Sequence, residues 1–288
     1  MTPAADWISC LETNSRPIGF LDSGIGGVPY LNSLRIALPD EDYVYVADRA
    51  NFPYGKRDAA SVSRLVHAVI RRMVDRYVPK MVIVACNTAS VMTLASLRRE
   101  FDVPFVGVVP AIKPAAEIGK AGPIGVLATD RTVEDAYVKA LIADFAAGRE
   151  VILVPAGDLV ELIEDRLFLA SPDEVRAALD EPMRRLRESG ATSVVLGCTH
   201  FIHLRDEISR MAGPGCRVID SVEGVVRQAI RVCAGVGYAG SPGRSSGGAP
   251  GFARIVVTGC ERPPSNYERL SVLHGLEIGC DDWSGTDR

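Results

Sequence analysis

At 288 residues the chain is long enough for one large or two medium domains with an ample core. Hydrophobic residues make up 47% and charged residues 24%, with a formal net charge of −4, a balance that argues against nucleic acid or an anionic membrane as the main partner. No apolar run reaches the roughly 18 residues of a membrane-spanning helix, and the N-terminal MTPAADWISCLETNSRP lacks the basic start and apolar stretch of a secretory signal.

Residues 1–16 read as a short N-terminal extension. The first strand, IGFLD (18–22), runs into DSGIGG (22–27). That turn lacks the Walker lysine and the full dinucleotide fingerprint, so it is a weak nucleotide signal. Its backbone N–H groups can instead hold a carboxylate, and Asp22 is placed to orient a neighbour or receive an ammonium group. A second strand, YVYVA (43–47), leads to NFPYGKR (51–57). Val62, Leu65, Val66, Val69, Ile70, Met73 and Val74 then recur at helical spacing over 58–78. MVIVA (81–85) ends at Cys86-Asn87-Thr88, and PFVGV (104–108) meets the prolines of VVPAIKPAAE (108–117), where a lobe boundary is expected.

The second half repeats the plan. IGVLA (124–128), VILVP (151–155), SVVLG (193–197) and RVID (217–220) read as strands, with helices over 132–147 and 172–189. The latter opens on SPDEV (171–175), with serine as N-cap, proline at the first position and acids in the first turn. SVVLG ends at Cys198-Thr199-His200, 198 − 86 = 112 positions after the first such cysteine. AGSPGRSSGGAPG (239–251) predicts a flexible loop over 239–253, and RIVVTGC (254–260) a returning strand.

Buried strands alternating with helices predict an α/β fold with mainly parallel sheets. The repeat predicts two pseudo-symmetric lobes with the site in the cleft between them: residues 17–110 with 222–288, and residues 111–221. Ligands of such folds sit beyond the carboxyl ends of the strands. Four polar clusters fall there: Asp22-Ser23-Gly24, Pro53-Tyr54-Gly55, Cys86-Asn87-Thr88 and Cys198-Thr199-His200.

Seven cysteines, odd in number, scattered and without C-x-x-C, argue against a disulfide framework and for a reducing cytoplasm with most thiols in the core. Taken alone, Cys86 or Cys198 is most simply a small core residue. Each, however, opens a helix, where unpaired N–H groups favour the thiolate over a free thiol of pKa about 8.5. His200 is close enough in sequence to share a proton with Cys198. Cys198, His200 and His203 could instead ligate zinc, but their spacing converges poorly and no further Cys/His cluster is near, so no metal is expected.

Taken in order, FLDSGIGG, NFPYGKR, VIVACNTAS and VVLGCTHF resemble the motifs of the glutamate racemases, within the aspartate/glutamate racemase superfamily. The resemblance covers about residues 17–235, and GVVPAIKPAAE and GVLATDRTVEDAY resemble one branch. It implies two pseudo-symmetric α/β lobes enclosing the substrate, and cofactor-independent interconversion of L- and D-glutamate. It implies that Cys86 and Cys198 are the acid/base thiols, Cys86 facing the D-substrate's proton and Cys198 the L-substrate's. Asp22 and His200 would assist them, and Glu164 matches an acidic residue of the second lobe. Asp22, Ser23, Tyr54, Gly55, Asn87, Thr88, Thr199 and His200 would line the substrate site.

The same resemblance implies a cytoplasmic enzyme, monomer or homodimer, supplying D-glutamate for peptidoglycan. A cell-wall precursor that activates some members would meet this chain near 108–117. Pro29, Arg49, Glu134-Asp135 and Ile202 depart from common usage. The preference for glutamate rests on the resemblance alone. The alternatives are a related racemase acting on aspartate, a hydantoin or a similar acid, and a non-catalytic binding protein.

Overall fold

The computed structural model describes residues 16–118, 122–235, 251–281 and 283. Its strands, in chain order, are β1 (Ile18–Asp22), β2 (Tyr43–Ala47), β3 (Met81–Val84), β4 (Phe105–Gly107), β5 (Ile124–Ala128), β6 (Val151–Pro155), β7 (Ser193–Leu196), β8 (Arg217–Ile219), β9 (Ala253–Thr258) and β10 (Glu277–Asp281). The helices are α1 (Val28–Ala37), α2 (Ala59–Tyr77), α3 (Asn87–Glu100), α4 (Ile112–Ile118), α5 (Asp130–Glu134), α6 (Ala136–Phe145), α7 (Asp158–Arg166), α8 (Pro172–Glu188), α9 (Arg205–Ala212), α10 (Val222–Gly235) and α11 (Ser265–His274).

Two parallel sheets result, as the buried apolar runs predict. One has the order β10-β9-β2-β1-β3-β4 and the other β6-β5-β7-β8. The core of the first, β2-β1-β3-β4, has the same order as the whole of the second. The backbone bonds just past the strands match too. Ala85 N–H donates to the Leu21 carbonyl as Gly197 N–H does to that of Leu127, both at 2.7 Å. Asp48 N–H reaches the Asp22 carbonyl as Ala156 N–H reaches that of Ala128, both at 2.8 Å. Helix α10 follows β8 in sequence yet packs on α1, β3 and β4, so the chain returns to the first sheet. Among the described residues no helix is long and apolar enough to cross a membrane.

Several expectations change. The single helix expected over 132–147 is broken into α5 and α6 by Asp135. Its extended backbone ends one helix while its carboxylate caps the next, accepting from Tyr137 N–H. Pro29 falls in the first turn of α1, where its missing N–H costs nothing. The extension's last residue, Arg16, donates to the carbonyls of Val78 and Pro79, while residues 1–15 lie outside the described residues.

Most of the loop expected over 239–253 also lies outside the described residues, but its end is not loose. Gly251 N–H bonds the Pro39 carbonyl, Phe252 N–H bonds Asp42, and Ala253 already starts β9. The edge strand β10 was not expected, and it contains Cys280, which is disulfide-bonded to Cys260 just past β9. That bridge runs against the expectation of reduced core thiols. Of the remaining cysteines described, Cys86, Cys198 and Cys233 are buried and Cys216 is half-buried, all four free.

Central strand β1 is buried along its whole length. Its Phe20 stacks on Tyr45 with ring centroids 6.2 Å apart and tilts against Tyr43 at 6.4 Å. Phe20→Ala should therefore destabilise the protein by about 3–5 kcal/mol, read as a fall in the urea midpoint. A loss below about 1 kcal/mol would contradict this account of the core.

Candidate active site

The carboxyl ends of the two sheets face each other. In both, the chain leaves the first strand (β1, β5) toward one side and returns for the third (β3, β7) on the other, the crossing point where parallel sheets bind ligands. Two residues past β3 stands Cys86, the N-cap of α3; two past β7 stands Cys198, the N-cap of a 3₁₀ turn over Thr199–Leu204. Both line one cavity of about 20 Å³, roughly the room one water needs. Ser23, Gly55, Thr88 and His200 line it as well.

The two thiols have different neighbours. His200 Nδ1 lies 4.0 Å from Cys198 Sγ, and its Nε2 lies 3.0 Å from Glu164 Oε2. Burial alone would push the imidazole down, but the hydrogen bonds to Cys198 and Glu164 and the charge of Asp22 hold it well above the ordinary histidine range. Burial likewise presses Glu164 toward its neutral form. The bond and charge of His200, with donors Tyr267 and Ile25 N–H, reverse this and keep its carboxyl below the ordinary value. Glu164 and His200 thus form a buried ion pair beside Cys198.

On the other side burial, and then the charge of Asp22, push the Cys86 thiol well up. This corrects the expectation of a thiolate at the helix start, since desolvation outweighs the N–H groups there. Asp22 is fully buried, accepts from Ser23 N–H at 2.6 Å and Thr199 Oγ1 at 3.2 Å, and is raised to about 6, chiefly by burial.

The remaining expected residues divide. Thr88, on α3, meets Thr129 and Thr132 of the other sheet at 3.2 and 3.3 Å, a hydroxyl cluster spanning the cleft. Asn87 is buried with both side-chain amide atoms unpartnered, and it does not itself line the cavity. Tyr54 is buried, but its hydroxyl donates to Asp48 at 2.5 Å rather than toward the cavity. His203 turns away from Cys198 to the Ile25 carbonyl, 3.2 Å from its Nε2, and burial first of all pulls its pKa down to about 4.

Pro53, of the expected cluster, lines the cavity too, and so do Lys56, Thr129, Asp130, Gly157 and Val160, which were not singled out in the sequence. Thr129-Asp130 carried a signal, because IGVLATD stands in the second sheet where IGFLDSG stands in the first. Tyr267, over a hundred residues from Glu164 in sequence, carried none.

The Asp/Glu/Hydantoin racemase family matches residues 30–229. The chain is similar to the glutamate racemase of Sphingopyxis alaskensis, 39% identical over 265 residues that make up 91% of this chain and 95% of the relative. To that of Escherichia coli K12 it is 41% identical over 224 residues, 77% of this chain and 78% of the relative. A crystal structure of Escherichia coli glutamate racemase in complex with L-glutamate and activator UDP-MurNAc-Ala superposes with a TM-score of 0.78. It is 33% identical, covering 92% of this chain and 97% of that one.

Asp22 gives a test of the electrostatics. Its folded pKa, about 6, exceeds its ordinary 3.8, so its share of stability is complete below 3.8 and is lost as pH rises through about 6. At neutral pH the ionised carboxylate costs at most about 3 kcal/mol. Asp22→Asn should therefore raise the urea midpoint at neutral pH, with the gain vanishing toward pH 3.8. A variant less stable than wild type at neutral pH would refute the assignment.

Proposed function

The chain belongs to the Asp/Glu/Hydantoin racemase family and is an amino-acid racemase, and we propose that it interconverts L- and D-glutamate by two-thiol proton transfer at Cα without a cofactor. The observation that carries the reading is that Cys86 and Cys198, from equivalent points of two like sheets, line one small cavity. One sulfur, as thiolate, removes the Cα proton on one face. The other, as thiol, returns a proton on the opposite face, and the two exchange roles when the reaction runs in the reverse direction.

Each thiol has a proton partner suited to its surroundings. Asp22 lies close enough to Cys86 for its charge to raise the thiol, which places it to exchange a proton with that sulfur. His200, kept protonated by Glu164, faces Cys198. The threonine hydroxyls and the helix-start N–H groups suit the substrate's carboxylates. A closed, dry site strengthens all of these against a very weak carbon acid. The product would supply D-glutamate for peptidoglycan, and both thiols are free to act.

We extend the reading to regulation. A separate groove of about 870 Å³ runs beside residues 109–114 and is lined by Lys113, Phe145, Arg205 and Arg227 among others. Lys113 lies over the Phe145 ring at 5.2 Å. Each cation is paired with a carboxylate, Lys113 with Glu117, Arg205 with Asp220 and Arg227 with Glu223, and an anionic cell-wall precursor would take these cations over from those carboxylates.

Incubation with L-glutamate in D₂O, followed by NMR, should show Cα–H loss and appearance of the D-enantiomer. No exchange with either enantiomer would favour a binding protein, and exchange with aspartate alone a different substrate. Cys86→Ser and Cys198→Ser should each lower kcat by about two to four orders of magnitude; normal turnover in both would end the two-thiol mechanism. UDP-MurNAc-Ala should raise the rate, and an unchanged rate removes the activator from the reading.

A further inference from the structure

We infer that Arg49 is a positioning residue, reaching from the first sheet across the cleft to hold the Glu164–His200 pair in line with Cys198. The inference rests on the racemase reading above.

The backbone that carries Arg49 is fixed. It opens a 3₁₀ turn, Arg49–Asn51, immediately past β2. Buried Asp48 before it accepts from Asn51 at 3.0 Å, Thr258 at 2.9 Å and Tyr54 at 2.5 Å, and Ala50 N–H donates to Thr258 Oγ1 at 3.1 Å. From this anchored turn the guanidinium crosses to α7. Its Nη2 donates to Asp165 Oδ1 at 2.7 Å, and its Nε lies 3.8 Å from Glu164 Oε1.

The same guanidinium stacks over Phe52, 5.0 Å from the ring centroid, and the Phe52 ring lies 6.0 Å from that of His200. One cation therefore touches both neighbours of the imidazole, the carboxylate that charges it and the ring packed beside it. The geometry on Glu164 is divided accordingly. Oε1 faces Arg49 and Tyr267, which leaves Oε2 for His200 and Ile25 N–H.

A second tie holds the same helix. Lys56 Nζ lies 2.7 Å from Glu161 Oε1, and Glu161 and Asp165 are four residues apart on one face of α7. Lys56 fixes the start of that face and Arg49 its end. Only Arg49 also reaches Glu164, so its loss should disturb His200 and, through it, proton transfer at Cys198 rather than at Cys86.

The test begins with wild type, whose failure to racemise glutamate would overturn the functional reading before any variant is made. With that activity in hand, Arg49→Ala should lower kcat about 10- to 100-fold while KM stays within about threefold, since a misplaced catalytic group costs about that much. The decisive readout is the primary isotope effect on kcat/KM with 2-deuterated substrate. It should rise for the enantiomer whose proton Cys198 takes and stay unchanged or fall for the other, to which Cys198 only returns a proton.

Arg49→Lys keeps the charge but loses the planar fork and the stack, so it should recover only part of the rate. Asp165→Asn should shift the isotope effect in the same one-sided way, to a smaller degree. Circular dichroism and thermal denaturation check that each variant is folded; should Arg49→Ala not fold, Arg49→Lys and Asp165→Asn carry the test. Isotope effects that change equally for both enantiomers, or a kcat unaltered by these substitutions, would overturn the inference.

Discussion

A buried carboxylate, that of Glu164, joins the two sheets. Glu164 is 1% exposed, and taking a bare carboxylate out of water costs several kcal/mol unless its oxygens are paired. They are: His200 and Ile25 N–H meet Oε2, the Tyr267 hydroxyl meets Oε1, and Asn266 donates to the residue's own backbone carbonyl. Ile25 lies beyond β1 of the first sheet, Tyr267 and Asn266 on the helix before β10, and His200 beyond β7 of the second. The carboxylate is satisfied only when these segments meet, so assembling the two sheets and charging His200 are one event.

The glycines of DSGIGG follow from that junction. A Cβ on Gly24 would fall on the Glu164 carboxylate, and one on Gly26 would meet His200 Nδ1 and Thr199 Oγ1. The turn resembles a phosphate loop in composition because both need a backbone that something can approach closely. Here what approaches is the protein's own ion pair, and the carboxylate expected at its N–H groups is that of Glu164.

The repeat delivers two thiols to matching positions, but not with matching chemistry. By the strand registers Ile18 pairs with Met81 as Ile124 pairs with Ser193, so Asp22 corresponds to Ala128 and Thr88 to His200. The first sheet contributes a carboxylic acid and the second an imidazole, each missing from the other. Two like scaffolds thus present unlike groups beside their thiols.

Much of this was legible in sequence. β1, β2, β5 and β6 fall on their expected residues, because apolar runs bounded by turn residues leave little choice. The thiols were legible because strand ends mark ligand sites and the pattern occurs twice. What escaped depends on contacts distant in the chain. Tyr267, Asn266 and the reach of Arg49 to Asp165 have no local signature, and the half-buried edge strand β10 lacks the apolar run of a buried one. The thiolate expectation at Cys86 failed for the same reason. Helix N-termini can be read from neighbouring residues, but the dielectric around a sulfur is set by the whole fold.

The strengths of the bonds across the cleft also bear on how it admits a substrate, since a cavity of about 20 Å³ is too small for an amino acid such as glutamate. The ties at the rim, Arg49–Asp165 and Lys56–Glu161, join side chains that are 30–51% exposed. Such pairs contribute about 0–1 kcal/mol each and weaken in salt. The ties behind them, on Glu164, are buried, and separating one leaves a charge unpaired at a cost of about 3–5 kcal/mol. Opening is therefore cheapest at the rim and dearest at the junction. Loosening along the loop that carries Arg49 and Lys56, with the sheets still joined at Glu164, would therefore be the less costly way to widen the cavity, and it would leave His200 paired with the carboxylate that keeps it charged.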